Sequence, residues 1–248
     1  MQEQQPRESA PEAAIETHSL TEDTLVENLH NIKTRIEKAA LESGRDPTSI
    51  TIIGAAKTVP IETLSAAFTH GISNFGENYV QEAERKRQAL NQLGANPTWH
   101  LIGHLQTNKA KIAVALFDII ETVDSVHLAE AIARRAKRPM TILLEVNVAQ
   151  EPSKFGFTPQ DVASAYKSLR DLPELSIEGL MTIAPEVSNP EEVRPVFRRL
   201  RQIRDELGLH ELSMGMTGDF EVAIQEGATM VRIGRALFGP RQKPHGEN

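Results

Sequence analysis

Eight short apolar runs recur along the chain, and the gaps between them carry helical spacing. The runs span residues 50–56, 72–75, 99–102, 119–122, 140–148, 177–181, 212–213 and 230–233. Between them, residues 61–70, 79–93, 108–116, 126–136, 159–169, 191–207 and 219–225 place apolar side chains three and four apart, and a short terminal helix follows the last run. Apolar runs with little internal alternation suit parallel strands covered on both faces. Aromatic residues are only 4% of the chain, so Ile, Leu, Val and Ala must build that core. Eight strands alternating with helices in 248 residues favour a closed (β/α)8 TIM barrel of the α/β class. An open doubly wound sheet, with a strand or two miscounted, is the competing reading.

One helix precedes the first strand. Thr21 reads as its N-cap, Glu22 and Asp23 favour its first turn, and Leu25, Leu29, Ile32 and Ile36 mark one face. Gly44 and Pro47 end it. Residues 1–20 hold Gln, Glu, Pro, Ala and Ser without periodicity and read as a disordered tail. No linker or shift in composition divides the rest, so residues 21–248 read as one domain.

The formal charge of −7 argues against a nucleic-acid partner, which would need a concentrated basic face. Glu84, Arg85, Lys86 and Arg87 form a mixed cluster, read as the solvated face of a helix. The chain has no cysteine, which excludes disulfides, thiolate metal sites and cysteine nucleophiles. No apolar run reaches the ~20 residues a membrane span needs, and the N-terminus lacks a signal-peptide core. A cytoplasmic location is therefore expected.

In such barrels, chemistry gathers where the strands end. Lys57 follows the first run. A lysine held in a poorly hydrated pocket becomes a usable amine nucleophile and can form an imine with an aldehyde. A lysine that has merely left the strand for solvent fits the position as well. After the seventh run stand Ser213, Met214, Gly215, Met216 and Thr217, and after the eighth stand Gly234 and Arg235. Small residues there let backbone N–H groups approach an anion, and loops seven and eight of TIM barrels often hold phosphate. Two ordinary strand-to-helix turns would look alike. Arg232, a cation within an apolar strand, needs a partner: a ligand's ring nitrogen or a neighbouring carboxylate. His100 and His104 flank the third run without a metal-binding pattern, so no metal is expected.

Six segments then match one family in order. They are Ala55-Ala56-Lys57-Thr58, the run from Phe75 to Glu82 (FGENYVQE), and the run from Trp99 to Lys109 (WHLIGHLQTNK). Glu178-Gly179-Leu180-Met181, the run from Leu212 to Thr217 (LSMGMT) and the run from Val231 to Gly239 (VRIGRALFG) complete them. The chain resembles the YggS/PROSC family of pyridoxal-phosphate homeostasis proteins. The resemblance implies a barrel like the N-terminal domain of alanine racemase, fold type III among pyridoxal-phosphate proteins. It implies pyridoxal 5'-phosphate bound to Lys57 as a Schiff base, with Arg232 facing the pyridine nitrogen. Ser213, Gly215, Thr217, Gly234 and Arg235 would cradle the phosphate, Asn78 and Met181 would border the ring, and Met214 and Met216 would be among the cofactor-binding residues.

Two positions depart from the family pattern. Val59 stands where many members carry a second lysine, and Arg235 stands where many carry a threonine. Lys154 matches a family lysine near the site and reads either as a secondary acceptor or as a loop lysine. The resemblance implies a non-catalytic binder that supplies the cofactor to apo-enzymes. The alternative is a pyridoxal-phosphate-dependent amino-acid racemase, which needs a second acid/base opposite the lysine. Related racemases take that group from a C-terminal domain across a dimer, for which the end of this chain leaves no room. Tyr166 falls within a helix, and Tyr79, at a helix start after the second run, receives no catalytic role. A monomer is expected.

Overall fold

The computed structural model describes residues 20–240. The tail read over residues 1–20 lies, apart from Leu20, outside them. The strands β1 (Thr51–Ala55), β2 (Asn74–Glu77), β3 (Thr98–Leu101), β4 (Ile119–Val123), β5 (Met140–Glu145), β6 (Leu175–Met181), β7 (Glu211–Ser213) and β8 (Met230–Ile233) form a closed parallel barrel in sequence order. Closure is made by β1 against β8, with Ile53 opposite Arg232 and Gly54 opposite Ile233. That pairing rules out the open sheet.

The helices are α1 (Glu22–Glu42), α2 (Ile61–Thr69), α3 (Val80–Gln92), α4 (Ala110–Leu116), α5 (Val126–Ala133), α6 (Val162–Leu169), α7 (Arg194–Leu207), α8 (Phe220–Gln225) and α9 (Arg235–Phe238). The extra helix α1 begins as its sequence dictates, with the Thr21 hydroxyl accepting from the Thr24 N–H. Leu25, Leu29, Ile32 and Ile36 are all buried. Arg35 of α1 forms a forked pair with Glu221 and lies over the Phe220 ring, 4.5 Å from its centroid. The Asn28 amide donates to the Leu237 carbonyl. These bonds fasten α1 to the helices that follow β7 and β8, beside the first cavity described below.

Two of the differences between strands and apolar runs have a visible backbone cause. β2 starts two residues later than the run at 72–75, because the Ile72 N–H bonds back to the Ala67 carbonyl and closes α2. Gly76 and Glu77 therefore lie within the strand, and Glu77 is fully buried. β5 stops at Glu145 although the apolar run continues to Val148. Its neighbour β6 ends opposite Glu145 at Met181, so the following residues lack a continuing ladder. Asn147 instead holds a loop, donating to the Glu151 and Lys154 carbonyls and accepting from the Glu151 N–H.

Candidate functional site

Lys57 stands in the turn after β1, half-buried. It lines a cavity of about 270 Å³ at the carboxyl end of β1 and β8, with Val59, Asn78, Gly234, Arg235 and Phe238. Its amine lies 4.9 Å from the centroid of the Tyr79 ring and 3.4 Å from the Tyr79 hydroxyl. Tyr79, which the sequence placed at a helix start able to approach the site, is the side chain on which the amine rests. Thr58, next in line, has φ of 63°. A β-branched residue in that region costs about 1–3 kcal/mol and persists only where its surroundings hold it.

The loops after β7 and β8 meet, with the Thr217 hydroxyl 3.4 Å from the Ala236 N–H. Gly215 makes the first loop possible. Its φ is 93°, and a Cβ there would stand 2.6 Å from Cβ of Ala223. The Met216 N–H is taken by Asp219, but the N–H groups of Thr217 and Gly218 meet no acceptor among the described residues. These free donors fit an anion. Arg235 is exposed on the wall of the first cavity, beside Gly234.

Three of the expected contacts turn inward instead. Met181 is fully buried and packs with Ile53, Leu143 and Met230 inside the barrel. Met214 is fully buried as well. The Ser213 hydroxyl donates to Glu121 at 2.6 Å and accepts from Arg232 at 2.6 Å. It is therefore committed within the barrel and has no hydrogen left for a phosphate.

Arg232 is 4% exposed, and its second nitrogen donates to the Thr182 carbonyl at 2.7 Å. Burial draws its pKa down, against Glu121, Asp219 and Glu145, which favour the charged form. Guanidinium carries five N–H donors, so several remain beyond these two bonds. Glu121 is the centre of the network. It accepts from Ser213 and sits 2.7 Å from Nδ1 of His100, whose Nε2 lies 3.1 Å from Asn74. Burial would raise the Glu121 pKa, but His100, Arg232 and Ser213 outweigh it and hold the carboxyl below its ordinary value. His100 is thus a buried structural partner of a carboxylate. Among the described residues, no group of side chains is arranged to hold a metal ion.

Asn78 lines the first cavity and also a second, of about 200 Å³, bounded by Gly103, His104, Thr122, Glu145, Asn147, Lys154 and Phe155. Gly103 is required here, because any Cβ would collide with the Asn78 backbone. The Lys154 amine donates to Glu151 at 2.5 Å and to the Ala184 carbonyl at 3.2 Å, so it is a braced wall residue and not a solvated loop lysine. His104 stacks on Phe155 and lies 3.1 Å from Asp124.

Glu145 is 7% exposed; its backbone carbonyl accepts the Phe157 N–H at 2.7 Å, while its carboxyl meets no hydrogen-bond donor among the described residues. Burial and the nearby Asp124 push its pKa up to about 7, against Arg232. A folded pKa above the ordinary 4.5 means that folding takes up a proton, so stability falls as pH climbs from about 4.5 to about 7. Glu145→Gln should remove that slope and exceed the parent protein above pH 7 by at most about 3 kcal/mol. Denaturant midpoints at pH 5 and pH 8 check this; equal pH slopes in the two proteins would refute it.

The charged cluster read on α3 divides. Glu84 and Arg85 are exposed, but Lys86 is 6% exposed and bonds to Ala56, Glu77 and Glu82. The solvated reading fails for Lys86 because one turn of α3 faces the end of β2, where Glu77 is buried.

The chain matches the family model "Alanine racemase, N-terminal domain" over residues 23–242. A pyridoxal phosphate homeostasis protein from Aquifex aeolicus is 44% identical over 225 residues, covering 87% of this chain and 98% of that protein. One from Pseudomonas aeruginosa is 39% identical over 223 residues, covering 88% and 96%. A solved structure of PipY from Synechococcus elongatus, with PLP bound, superposes with a TM-score of 0.76 at 36% identity, covering 87% of this chain and all of that one.

Proposed function

The chain belongs to the pyridoxal phosphate homeostasis proteins, on the fold of the alanine racemase N-terminal domain, and from that membership we propose that it binds pyridoxal 5'-phosphate as a Schiff base on Lys57. One observation carries the assignment of the residue. The Lys57 amine, Asn78, Gly234 and Arg235 share one cavity, whose volume of about 270 Å³ is near the lower end for small-molecule sites. The bound cofactor would supply an aldehyde; the Lys57 nitrogen adds to its carbon, a C=N bond forms and water leaves.

The surrounding donors fit such a group. The free N–H groups of Thr217 and Gly218, with Gly234 and Arg235, would receive the phosphate. Arg235 offers charge where the family's hydroxyl is missing, and Val59 offers the cavity wall an apolar face and no second amine. Arg232 retains donors for a ring nitrogen. A cation at that nitrogen keeps it unprotonated and weakens the ring as an electron sink. Met181 and Met214 would act beneath the ring, as packed floor, and Ser213 through Arg232.

This favours a binder over a racemase. The Tyr79 hydroxyl lies 3.4 Å from the Lys57 amine, and we read it as a partner of that amine, not as a second acid/base. The Aquifex aeolicus and Pseudomonas aeruginosa relatives are likewise named for homeostasis. We place the role in the cytoplasm, with a monomer handing the cofactor to apo-enzymes.

Borohydride reduction after incubation with pyridoxal 5'-phosphate, followed by peptide mass mapping, tests the site. One stable adduct on Lys57 is expected. Its absence, or a spread over surface lysines, would overturn the assignment. Handover is checked separately: activation of an apo-enzyme no faster than release of free cofactor would exclude direct transfer.

A further inference from the structure

We propose that Lys86, with Glu77 and Glu82, is a buried clamp that positions Lys57 by holding the backbone on both sides of it. The proposal rests on the Schiff-base reading for its consequence, but not for its geometry.

The clamp begins with a cation in an unusual place. Lys86 lies on α3 and is 6% exposed, facing the mouth of the barrel. An ammonium has three hydrogens to donate. All three are used: to the Ala56 carbonyl at 2.5 Å, to Glu77 at 2.6 Å and to Glu82 at 2.7 Å. Ala56 immediately precedes Lys57. The same Glu82 oxygen accepts the Thr58 N–H at 2.8 Å, and Thr58 immediately follows Lys57. The second oxygen of Glu77 accepts the Asn78 N–H at 3.2 Å. One ammonium and two carboxyls therefore fix the peptide groups flanking Lys57 and also Asn78, across the same cavity.

Two features separate this from an ordinary buried ion pair. Thr58 has φ of 63°, a conformation that needs an external hold, and Glu82 supplies it. The Lys57 side chain, by contrast, is held only by Tyr79 among the described residues. The backbone is thus rigid while the amine is free to swing, which is what a reversible covalent anchor requires. Full engagement of the Lys86 hydrogens also removes a competing amine from beneath the site. Removing a group that orients a metal-binding side chain from behind typically costs about 10–100-fold in affinity, and a loss of the same order is expected here.

The test compares Lys86→Met, Glu82→Ala and Glu82→Gln with the parent protein and with Glu226→Gln. Glu226 joins Arg194 and Arg198 on another face, so its loss controls for lowered stability alone. The first readout is amide hydrogen exchange across residues 55–60 without cofactor. The second is the fraction trapped on Lys57 by borohydride at limiting pyridoxal 5'-phosphate. Lys86→Met and Glu82→Ala should quicken exchange in that segment and lower the cofactor's apparent affinity on the order of tenfold or more. Glu82→Gln keeps an oxygen for the Thr58 N–H and should recover part of both losses. Exchange and trapping no different from Glu226→Gln at equal thermal stability would overturn the proposal. If Lys86→Met does not fold, the Glu82 pair decides. If the parent protein traps nothing on Lys57, the Schiff-base reading fails, and exchange still decides whether the clamp exists.

Discussion

Lys57→Ala should leave no reducible adduct and no visible imine band, at a cost to stability within about 0.5 kcal/mol. The two expectations diverge because the amine contributes little to the fold. Lys57 is half-buried in a turn, and its only side-chain partner among the described residues is Tyr79, itself 54% exposed. The backbone around it is held by Lys86 and Glu82, which the substitution does not touch. Lys57→Arg sharpens the result. Arginine restores the cation over the Tyr79 ring but presents no amine that condenses with an aldehyde under these conditions. It should therefore be as inert as alanine. Lys154 is the natural rescuer, yet its amine is drawn to Glu151 and to the Ala184 carbonyl in the second cavity. Mass mapping of the reduced Lys57→Ala protein should find Lys154 unmodified. A band of parent intensity in Lys57→Ala would sink the assignment, and an adduct on Lys154 would move it.

Much of the barrel was legible because strands buried on both faces leave apolar runs, and helices leave apolar stripes between them. The errors fall where an apolar residue does something other than continue a strand. Ile72 closes α2, and Val148 follows a strand whose neighbour has already ended. Periodicity records burial; it does not record which backbone partner is present. The site divides in the same way. That Lys57, Gly234 and Arg235 would line one cavity was readable because a strand end in a barrel is a place as well as a residue. Ser213 stands at such an end too, but its hydroxyl faces inward, and one residue of pleat decides that. Glu121 carried a signal that went unread. It lies in the apolar run of β4, as Arg232 lies in β8, and two opposite charges in apolar strands of one barrel call for each other. Lys86 gave no such sign. Its neighbours Glu84 and Arg85 are exposed, so only the turn of α3 against Glu77 distinguishes it.

That buried network sets the second large effect, Glu121→Ala. The substitution removes the acceptor of Ser213 and the partner of His100, and leaves Arg232 in the interior without the carboxylate that most favours its charge, to which Ser213 links it. Breaking a buried pair from one side costs about 3–5 kcal/mol, because the remaining charge is not rehydrated. For a domain of this size that corresponds to a fall in melting temperature of roughly 6–20 °C. The sign with pH follows from the Glu121 carboxyl lying below its ordinary 4.5. Its contribution is present above that value and fades as pH falls through the folded pKa, so the deficit of Glu121→Ala should shrink in acid. The cycle with Arg232→Met separates charge from packing. If the cost is the stranded cation, Glu121→Leu with Arg232→Met should be more stable than either single substitution, since shape-matched apolar pairs replace buried ion pairs at little loss. Additive losses would instead mean that each residue acts through its own packing, and that Ser213 and Thr182 alone satisfy Arg232.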